Sequence, residues 1–511
     1  MKGARDLLRL DAAVFLSGAA LMALEIVGSR VLAPVFGTSL FVWGALITTF
    51  LAALAVGYAL GGRLADRRPQ PELLSAVLLA AGALVIVLFA APDAVLAAAS
   101  GAPVPDRFRA LLAAAVLFAP PSILMGAVTP FAVRLAAKDL ALVGSAAGRL
   151  SAVSTVGSIL GAFAAAFFLI PTFPTRPIIF GIGAALLVSA LLVPASRFPR
   201  RAAWACFLGC AGALVFLVGP GFAKAPGPAG TLLLEKETAY HRIRVVDQGL
   251  RRALYFDNRL QGYAPVRPGL ELGIAYTDGL ALFSLAFVPN ARRVVMIGLG
   301  AGMLPNLLAA RAPEIASTSI EIDPEVVAVA RKYFAFVPDA NDRVIVGDGR
   351  REMDRQVDGA DVILVDAYFS DSLPFHLVTK EFDELCARKL GDDGVLAVNF
   401  GGDLTGARNR LFWAAVRTLA EVFPRVYIFS NELKAGAATF RGNAIVVATR
   451  SPERLDPGTL ADRAKGAAER LGRPAISEWA ARLYEGELRI ADVPVLTDAY
   501  SPTDALQHLA R

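Results

Sequence analysis

The stretch from Arg293 to Asp323 constrains the fold of this chain more than any other. It opens with RVVMI, a β-branched apolar run that predicts a buried strand, and three alternate glycines follow at once. The glycines are Gly298, Gly300 and Gly302. An Ala- and Leu-rich helix then leads to a second predicted strand, which ends in Glu321. This order predicts the first βαβ unit of a nucleotide-binding sheet.

The residues of this unit also indicate a class of ligand. Glycines let the backbone approach a ligand where a strand turns into a helix, and an acidic group after the second strand can accept hydrogen bonds from ribose hydroxyls. Met303 stands where a dinucleotide fingerprint would have its third glycine. The pattern therefore favours an adenosyl-sulfonium ligand over NAD. The glycine triplet alone would also suit a tight turn, so Glu321 is essential to the interpretation.

Composition indicates that part of the chain lies in a membrane. Of 511 residues, 55% are hydrophobic and only 19% are charged, which is too apolar for an ordinary soluble enzyme. Seven apolar runs are long enough to cross a bilayer, at 12–33, 40–62, 73–92, 109–133, 149–171, 177–194 and 202–219. The net charge of +6 comes largely from short basic clusters that flank these runs. The expected partner is therefore a lipid bilayer, and nucleic acid is not expected.

The basic clusters predict an orientation. They alternate between the runs, so the positive-inside rule places the amino terminus in the cytoplasm of a multi-pass protein of the inner membrane. Seven spans would carry the second half to the outer side, where an adenosyl cofactor is not expected. Either one run, such as the proline-broken 109–133 or the short 202–219, does not cross, or the chemistry is unusual. The side of the carboxyl-terminal domain stays open.

A Pro- and Gly-rich segment divides the chain. We predict a seven-span transmembrane domain at 1–220, a linker at 221–230 and a catalytic domain at 231–511. The second domain begins with two predicted strands, Thr231–Asp247 and Arg251–Phe256, joined as a hairpin. Strands and helices alternate after it. The predicted fold is a multi-pass helical membrane domain followed by an α/β Rossmann-like domain of the class I methyltransferase type, with an amino-terminal β-hairpin region.

Acidic residues end three successive predicted strands of this domain. They are Glu321, Asp348 and Asp366, and the carboxyl ends of parallel strands meet at one edge of a sheet. Three carboxylates that converge on one edge indicate a ligand site there more strongly than any one of them alone. Asp348 between two glycines could instead be a turn residue, and Asp366 could cap the following helix.

The ordered motifs of residues 231–400 resemble those of the polyamine aminopropyltransferases, the spermidine synthase family. Their arrangement behind apolar spans resembles the membrane-fused members. The motifs are T-x-Y-H-x-I-x-V at 238–245, F-D-N-R-L-Q at 256–261, the glycine turn, E-I-D at 321–323, G-D-G at 347–349 and the strand that ends at Asp366.

This resemblance implies roles for individual residues. Glu321 would bind the ribose hydroxyls, Asp348 the adenine amino group, and Asp366 would accept the proton of the attacking amine. The other expected cofactor contacts are Gly298, Gly300, Gly302, Gly349, Gln261, His241 and Pro374. Weaker expectations for substrate binding fall on Tyr276, Asp278, Asp371 and Asp498.

The chain departs from the family pattern on the polyamine side. The family's aspartate in the glycine turn, which holds the amine of the aminopropyl group, is Ala301 here. The family's second aspartate after the catalytic one is replaced by Phe369, with Asp371 two positions later, and His241 stands where a glutamine is expected. The family's Tyr-His-Glu is matched only by 276–278.

Our first hypothesis is a membrane-bound transferase that moves an aminopropyl group from decarboxylated S-adenosylmethionine to an amine such as putrescine. The second keeps the fold but uses S-adenosylmethionine for methyl or aminocarboxypropyl transfer, because Ala301 no longer selects the cofactor's tail. The third is a polyamine or lipid transporter or sensor with a non-catalytic nucleotide-binding domain. It is favoured by Glu25 inside the first span and by the transporter-like loop at 61–68. We expect no metal, a small-molecule amine substrate, and a homodimer among the assemblies.

Overall fold

The computed structural model describes residues 4–37, 39–89, 92–137, 143–195, 229–266, 285–338, 341–368, 374–403, 409–430, 441–503 and 506. The chain divides into two compact units, Met1–Gly227 and Pro228–Arg511. Each unit has its own hydrophobic core.

The first unit is helical. Its helices are α1 (Ala4–Phe36), α2 (Leu40–Arg67), α3 (Pro71–Leu88), α4 (Pro92–Ser100), α5 (Asp106–Ala136), α6 (Val143–Ala164) and α7 (Thr175–Leu192). A π-helical turn, Ala165–Leu169, and the turn Ile170–Thr172 continue α6. Within the described residues, six helices are long and apolar enough to cross a membrane: all of these except α4. The seventh predicted span, 202–219, lies outside the described residues.

Prolines do not interrupt the fourth of these long helices. The predicted run 109–133 forms one continuous helix, α5, although Pro120, Pro121 and Pro130 lie within it. Prolines are tolerated inside such apolar helices because neighbouring helices and local adjustments satisfy the freed carbonyl groups. The helix α5 is therefore still long and apolar enough to cross a membrane.

Small residues bring helices of this unit into close contact. A Cβ atom on Gly157 of α6 would lie 2.2 Å from the carbonyl oxygen of Phe15, and one on Gly161 would lie 2.2 Å from that of Ala19. Only glycine allows α6 to approach α1 so closely, as is common where apolar helices associate. The spacing of Gly157 and Gly161, four residues apart, is typical of such close packing.

The second unit contains two sheets. The first has the order β1-β2-β3-β4, and all its pairs are antiparallel. Its strands are β1 (Thr231–Glu237), β2 (Arg242–Gln248), β3 (Arg251–Phe256) and β4 (Arg259–Pro265). The predicted single strand Thr231–Asp247 is therefore wrong, and β4 was not predicted. The Thr238 hydroxyl accepts the backbone N–H groups of Tyr240 and His241 at 3.1 and 3.0 Å and closes a turn inside the predicted strand.

The second sheet has the order β10-β11-β9-β8-β5-β6-β7. Its strands are β5 (Arg293–Ile297), β6 (Ala316–Glu321), β7 (Asp342–Val346), β8 (Ala360–Val365), β9 (Leu390–Asp403), β10 (Arg425–Ser430) and β11 (Arg441–Thr449). The five strands from β9 to β7 are parallel to one another, and β11 pairs antiparallel with both β9 and β10. This is the methyltransferase-type α/β sheet predicted from the sequence.

Helices connect these strands and cover the sheet. They are α8 (Met303–Arg311), α9 (Pro324–Tyr333), α10 (Gly349–Gln356), α11 (Lys380–Lys389), α12 (Asn409–Val422), α13 (Pro457–Leu471) and α14 (Ala475–Ala480). Strand β5 pairs with β6 on one side and with β8 on the other. The chain therefore reverses its winding at β5, and ligands of such sheets bind beyond the carboxyl ends of the strands at this position.

Candidate active site

A cleft lies beyond the carboxyl ends of β5, β6 and β8, and residues of the small antiparallel sheet form part of its wall. The volume of the cleft together with its open mouth is about 1140 Å³. The predicted site residues among those that line it are His241, Gln261, Gly298, Gly300, Glu321, Asp348, Gly349, Asp366 and Pro374.

Other predicted residues lie elsewhere. Gly302 precedes α8 as its N-cap residue and is not among the residues that line the cleft. Asp498 forms an ion pair with Arg350 outside the lining. Tyr276, Asp278 and Asp371 lie outside the described residues. The functional roles assigned to all of these residues stay predictions.

The glycine turn is shaped by the close approach of two strand ends. Gly298 has a φ of 99°, and a Cβ atom there would lie 2.3 Å from the carbonyl oxygen of Asp366. Gly300 also has a positive φ, 54°, but a Cβ atom there would meet open space. Gly298 is therefore required both by its backbone conformation and by its neighbour, whereas Gly300 is favoured by conformation alone.

These two glycines make a matched pair for mutation. We expect Gly298→Ala to lower the thermal unfolding midpoint of the full chain and to abolish nucleoside binding, because the added methyl group would overlap the backbone carbonyl oxygen of Asp366. Gly300→Ala should cost only about 1–2 kcal/mol, the ordinary cost of a left-handed conformation. Differential scanning calorimetry in detergent would measure the unfolding midpoint of each variant. Equal damage by the two substitutions would contradict this account of Gly298.

Glu321 is held in place by the backbone around it. Only 6% of the residue is exposed, and its two carboxylate oxygens accept hydrogen bonds from the N–H groups of Leu299 at 2.9 Å and Asp323 at 3.0 Å. Burial raises the pKa of Glu321, and the hydrogen bonds from the backbone oppose that rise. A carboxylate has roughly four acceptor positions, so Glu321 can still accept a hydrogen bond from a ligand hydroxyl.

Asp323 ties the small sheet to the large one, a role that the sequence did not reveal. Its carboxylate caps α9 by accepting the N–H of Glu325 at 2.9 Å, and it accepts the hydroxyl of Thr238 at 2.6 Å. Burial raises the pKa of Asp323, and the hydrogen bond from Thr238 opposes that rise. The T-x-Y-H and E-I-D motifs thus meet through Thr238 and Asp323. This contact holds the small antiparallel sheet against the large sheet at the cleft.

Asp348 has two structural partners. One oxygen accepts the backbone N–H of Arg351 at 3.0 Å and caps α10, and the other lies 3.1 Å from Nε2 of His376. Asp348 therefore combines a place in the cleft with a capping role that was not predicted for it, since the alternative from the sequence was a turn residue. His376 also lines the cleft, and sequence reasoning missed it because no metal-like or catalytic spacing surrounds it.

Asp366 follows β8 and accepts a hydrogen bond from the Asn399 side-chain amide at 2.8 Å. Burial raises the pKa of Asp366, and this hydrogen bond opposes that rise. The Tyr368 hydroxyl donates a hydrogen bond to the backbone carbonyl oxygen of Asn399 at 2.6 Å. This bond fixes the strand that carries the Asn399 side chain. A carboxylate with a raised pKa is a stronger proton acceptor than an ordinary one, which suits general base chemistry.

The remaining walls are largely apolar. The His241 ring stacks on Phe256 with a centroid distance of 4.5 Å. Ala301, 4% exposed, belongs to the apolar cluster between the small sheet and α9. Among the described residues that line the cleft, the carboxylates are Glu321, Asp348 and Asp366, and neither lysine nor arginine occurs. The charge of this lining suits a cationic ligand.

Asp498 is used to hold the carboxyl-terminal segment. Its carboxylate accepts two hydrogen bonds from Arg350 at 2.7 Å and one from the Thr379 hydroxyl at 2.8 Å. The Arg350 guanidinium lowers the pKa of Asp498. The segment around Asp498 is thus fastened to α10, the helix that Asp348 caps.

The chain is similar to known proteins over part of its length. Residues 273–431 match the family model of the spermine/spermidine synthase domain. A polyamine aminopropyltransferase of Vibrio vulnificus (strain CMCP6) is 35% identical over 160 residues, which are 31% of this chain and 52% of that protein. One of Thermococcus onnurineus (strain NA1) is 31% identical over 205 residues, 39% of this chain and 69% of that protein.

A solved structure is also similar. It is a probable spermidine synthase from Corynebacterium glutamicum ATCC 13032, with 18% identity, a TM-score of 0.41, and coverage of 53% of this chain and 97% of that one. The chain spans about half the length of the Vibrio relative, but more than two thirds of the Thermococcus relative at 31% identity. On that match, the chain belongs to the spermine/spermidine synthase family.

Proposed function

We propose that this protein is a membrane-bound aminopropyltransferase that uses decarboxylated S-adenosylmethionine and an amine acceptor such as putrescine. The charge of the cleft carries the proposal. Three carboxylates and no lysine or arginine among its described lining residues suit a donor with a sulfonium and an ammonium group, and an acceptor that is itself an ammonium ion. S-adenosylmethionine would add a carboxylate of its own, which these groups would repel.

The residues of the cleft would have separate roles in binding and in proton transfer. Glu321, fixed by two backbone N–H groups, would bind the ribose hydroxyls, and Asp348 would accept the adenine amino group. An ammonium ion cannot attack carbon until it loses a proton, and its ordinary pKa is about 10. Asp366 would orient the acceptor and take that proton. The amine nitrogen then forms the new C–N bond, the C–S bond breaks, and its electron pair remains on sulfur as a neutral thioether.

The first unit would hold the enzyme in the cytoplasmic membrane with its amino terminus in the cytoplasm. Six apolar helices of spanning length and the basic clusters that flank them support this location. Lipid is then a partner of the first unit, and the small-molecule substrates are partners of the second.

A second candidate rests on Ala301. Because an apolar, buried residue stands where the family's carboxylate holds the aminopropyl amine, transfer of a methyl or aminocarboxypropyl group from S-adenosylmethionine is the alternative. Neither reaction requires a different position for Asp366. The two candidates differ in which adenosyl compound binds more tightly.

Calorimetric titration of the full chain in detergent separates them. We expect methylthioadenosine and decarboxylated S-adenosylmethionine to bind at least tenfold more tightly than S-adenosylmethionine, because the latter brings a carboxylate to an acidic cleft. Incubation with putrescine should then release methylthioadenosine, measured by chromatography. Preference for S-adenosylmethionine would favour the second candidate. Binding without turnover with any amine would favour a sensor, and a folded chain that binds none of the three compounds would overturn both enzyme proposals.

A further inference from the structure

His376 is a polar group in the cleft that the proposed reaction does not use. It lies on the short 3₁₀ turn Phe375–Leu377, directly after Pro374, and its ring lines the cleft. Its Nε2 atom is 3.1 Å from one carboxylate oxygen of Asp348. The other oxygen of Asp348 accepts the N–H of Arg351. Each oxygen of Asp348 therefore already has one partner before any ligand binds.

The chemistry of the two groups shows which atom carries the hydrogen in the contact between His376 and Asp348. A carboxylate oxygen only accepts, so the contact is a hydrogen bond when Nε2 carries the hydrogen and donates it. This hydrogen bond fixes the rotation of the Asp348 side chain about its last bond. It leaves further acceptor positions on the carboxylate, because each oxygen can accept about two hydrogen bonds.

The backbone of His376 is anchored as firmly as its ring. Nη1 of Arg350 donates to the His376 carbonyl oxygen at 3.2 Å, and the same guanidinium pairs with both carboxylate oxygens of Asp498 at 2.7 Å. Arg350 belongs to α10, the helix that Asp348 caps. Both ends of the contact between His376 and Asp348 are therefore attached to the same turn of helix, which keeps their distance constant.

We propose that His376 determines the specificity of this site for a 6-aminopurine. The inference rests on the proposed function, since it assumes an adenosyl ligand whose amino group meets Asp348. A carboxylate held in one orientation by a donating imidazole accepts an N–H of that amino group. A 6-oxopurine would present an oxygen atom to the same carboxylate, and two acceptors in contact leave both without a partner. Without His376, Asp348 could turn away from that oxygen.

The test compares two nucleosides that differ at this one position, methylthioadenosine and methylthioinosine, bound to the full chain in detergent. The wild type should prefer methylthioadenosine. His376→Ala should weaken methylthioadenosine binding about tenfold to a hundredfold, the usual effect of one hydrogen bond to a charged group. Binding of methylthioinosine should change little, so the preference falls. His376→Gln should restore most of the preference, because its amide nitrogen can donate from a similar position.

A control substitution lies on the same helix. The Arg351 side chain is 69% exposed and pairs only loosely with Glu352, so Arg351→Ala keeps the capping N–H and should change neither affinity. If His376→Ala lost the same factor in affinity for both nucleosides, the ratio of the two affinities would be unchanged. That result would overturn the inference and leave His376 a structural residue. A wild type that binds neither nucleoside would overturn the proposed function itself, which distinguishes the two failures.

Discussion

Replacement of Asp366 by asparagine is expected to lower turnover by about 10²- to 10⁴-fold, the usual contribution of a positioned general base. The variant should still bind methylthioadenosine, because Glu321 and Asp348 are untouched and the asparagine carbonyl can still accept the hydrogen bond from Asn399. Single-turnover release of methylthioadenosine and calorimetric titration measure the two quantities separately. A variant that keeps more than a tenth of the wild-type turnover would exclude Asp366 as the base.

The same substitution has an expected effect on stability. Burial raises the pKa of Asp366, so the folded protein holds this proton more tightly than the unfolded chain does. The free energy of unfolding contributed by this residue therefore falls as pH rises from about 3.9, the ordinary carboxyl pKa, through the raised value. Asp366→Asn removes this cost, so at pH 7 the variant should be at least as stable as the wild type.

At acidic pH the difference in stability between Asp366→Asn and the wild type should disappear. Below about pH 3.9 the carboxyl group is protonated in both states, and the two unfolding midpoints should converge. Asp392→Asn is the matched control, because the Asp392 side chain is fully exposed and lies 3.9 Å from Arg450. That variant should match the wild type in turnover and in unfolding at pH 7. A strongly destabilised Asp366→Asn protein would contradict the account of its burial.

Replacement of Glu321 by alanine is expected to reduce affinity for methylthioadenosine by at least 100-fold. The substitution removes the proposed acceptor for the ribose hydroxyls, each worth about 1.5–3 kcal/mol as a hydrogen bond to a charged group. It also leaves the N–H groups of Leu299 and Asp323 without the acceptor that they have now, at about 1–3 kcal/mol each. Part of that cost is offset because a buried carboxylate disappears. We therefore expect a loss of about 2–4 kcal/mol in the free energy of unfolding.

Glu314→Ala is the control for this variant. Glu314 is exposed in the same unit and pairs with Arg470 at the surface, where an ion pair contributes about 0–1 kcal/mol. Titration and thermal unfolding should leave it close to the wild type. If Glu321→Ala bound methylthioadenosine as tightly as Glu314→Ala does, Glu321 would not be the ribose contact.

Local patterns predicted the large sheet well. Strand β5 and the positive-φ glycines after it follow from a β-branched run and a G-x-G-x-G spacing, both of which are local properties. Acidic residues at successive strand ends predicted one shared edge because parallel strands all end on the same side.

The small sheet was predicted less well. The turn inside Thr231–Asp247 contains neither glycine nor proline, and it depends on the hydroxyl of Thr238, which also reaches Asp323 far along the chain. Strand β4 has mixed polarity, since it lies between the cleft and the solvent, and no alternation marks it. In both cases the decisive partner is distant in sequence.

The sequence by itself determined the two-part composition of this protein, the parallel sheet and the acidic edge, because each depends on residue types repeated at short spacing. Only the tertiary structure decided which side chains hold those acids in place. His376 reaches Asp348 from 28 positions away, and Asn399 reaches Asp366 from 33. A hydrogen bond requires two groups to meet within about 3 Å. Such a meeting is fixed by the packing of whole strands and helices, which no local pattern records.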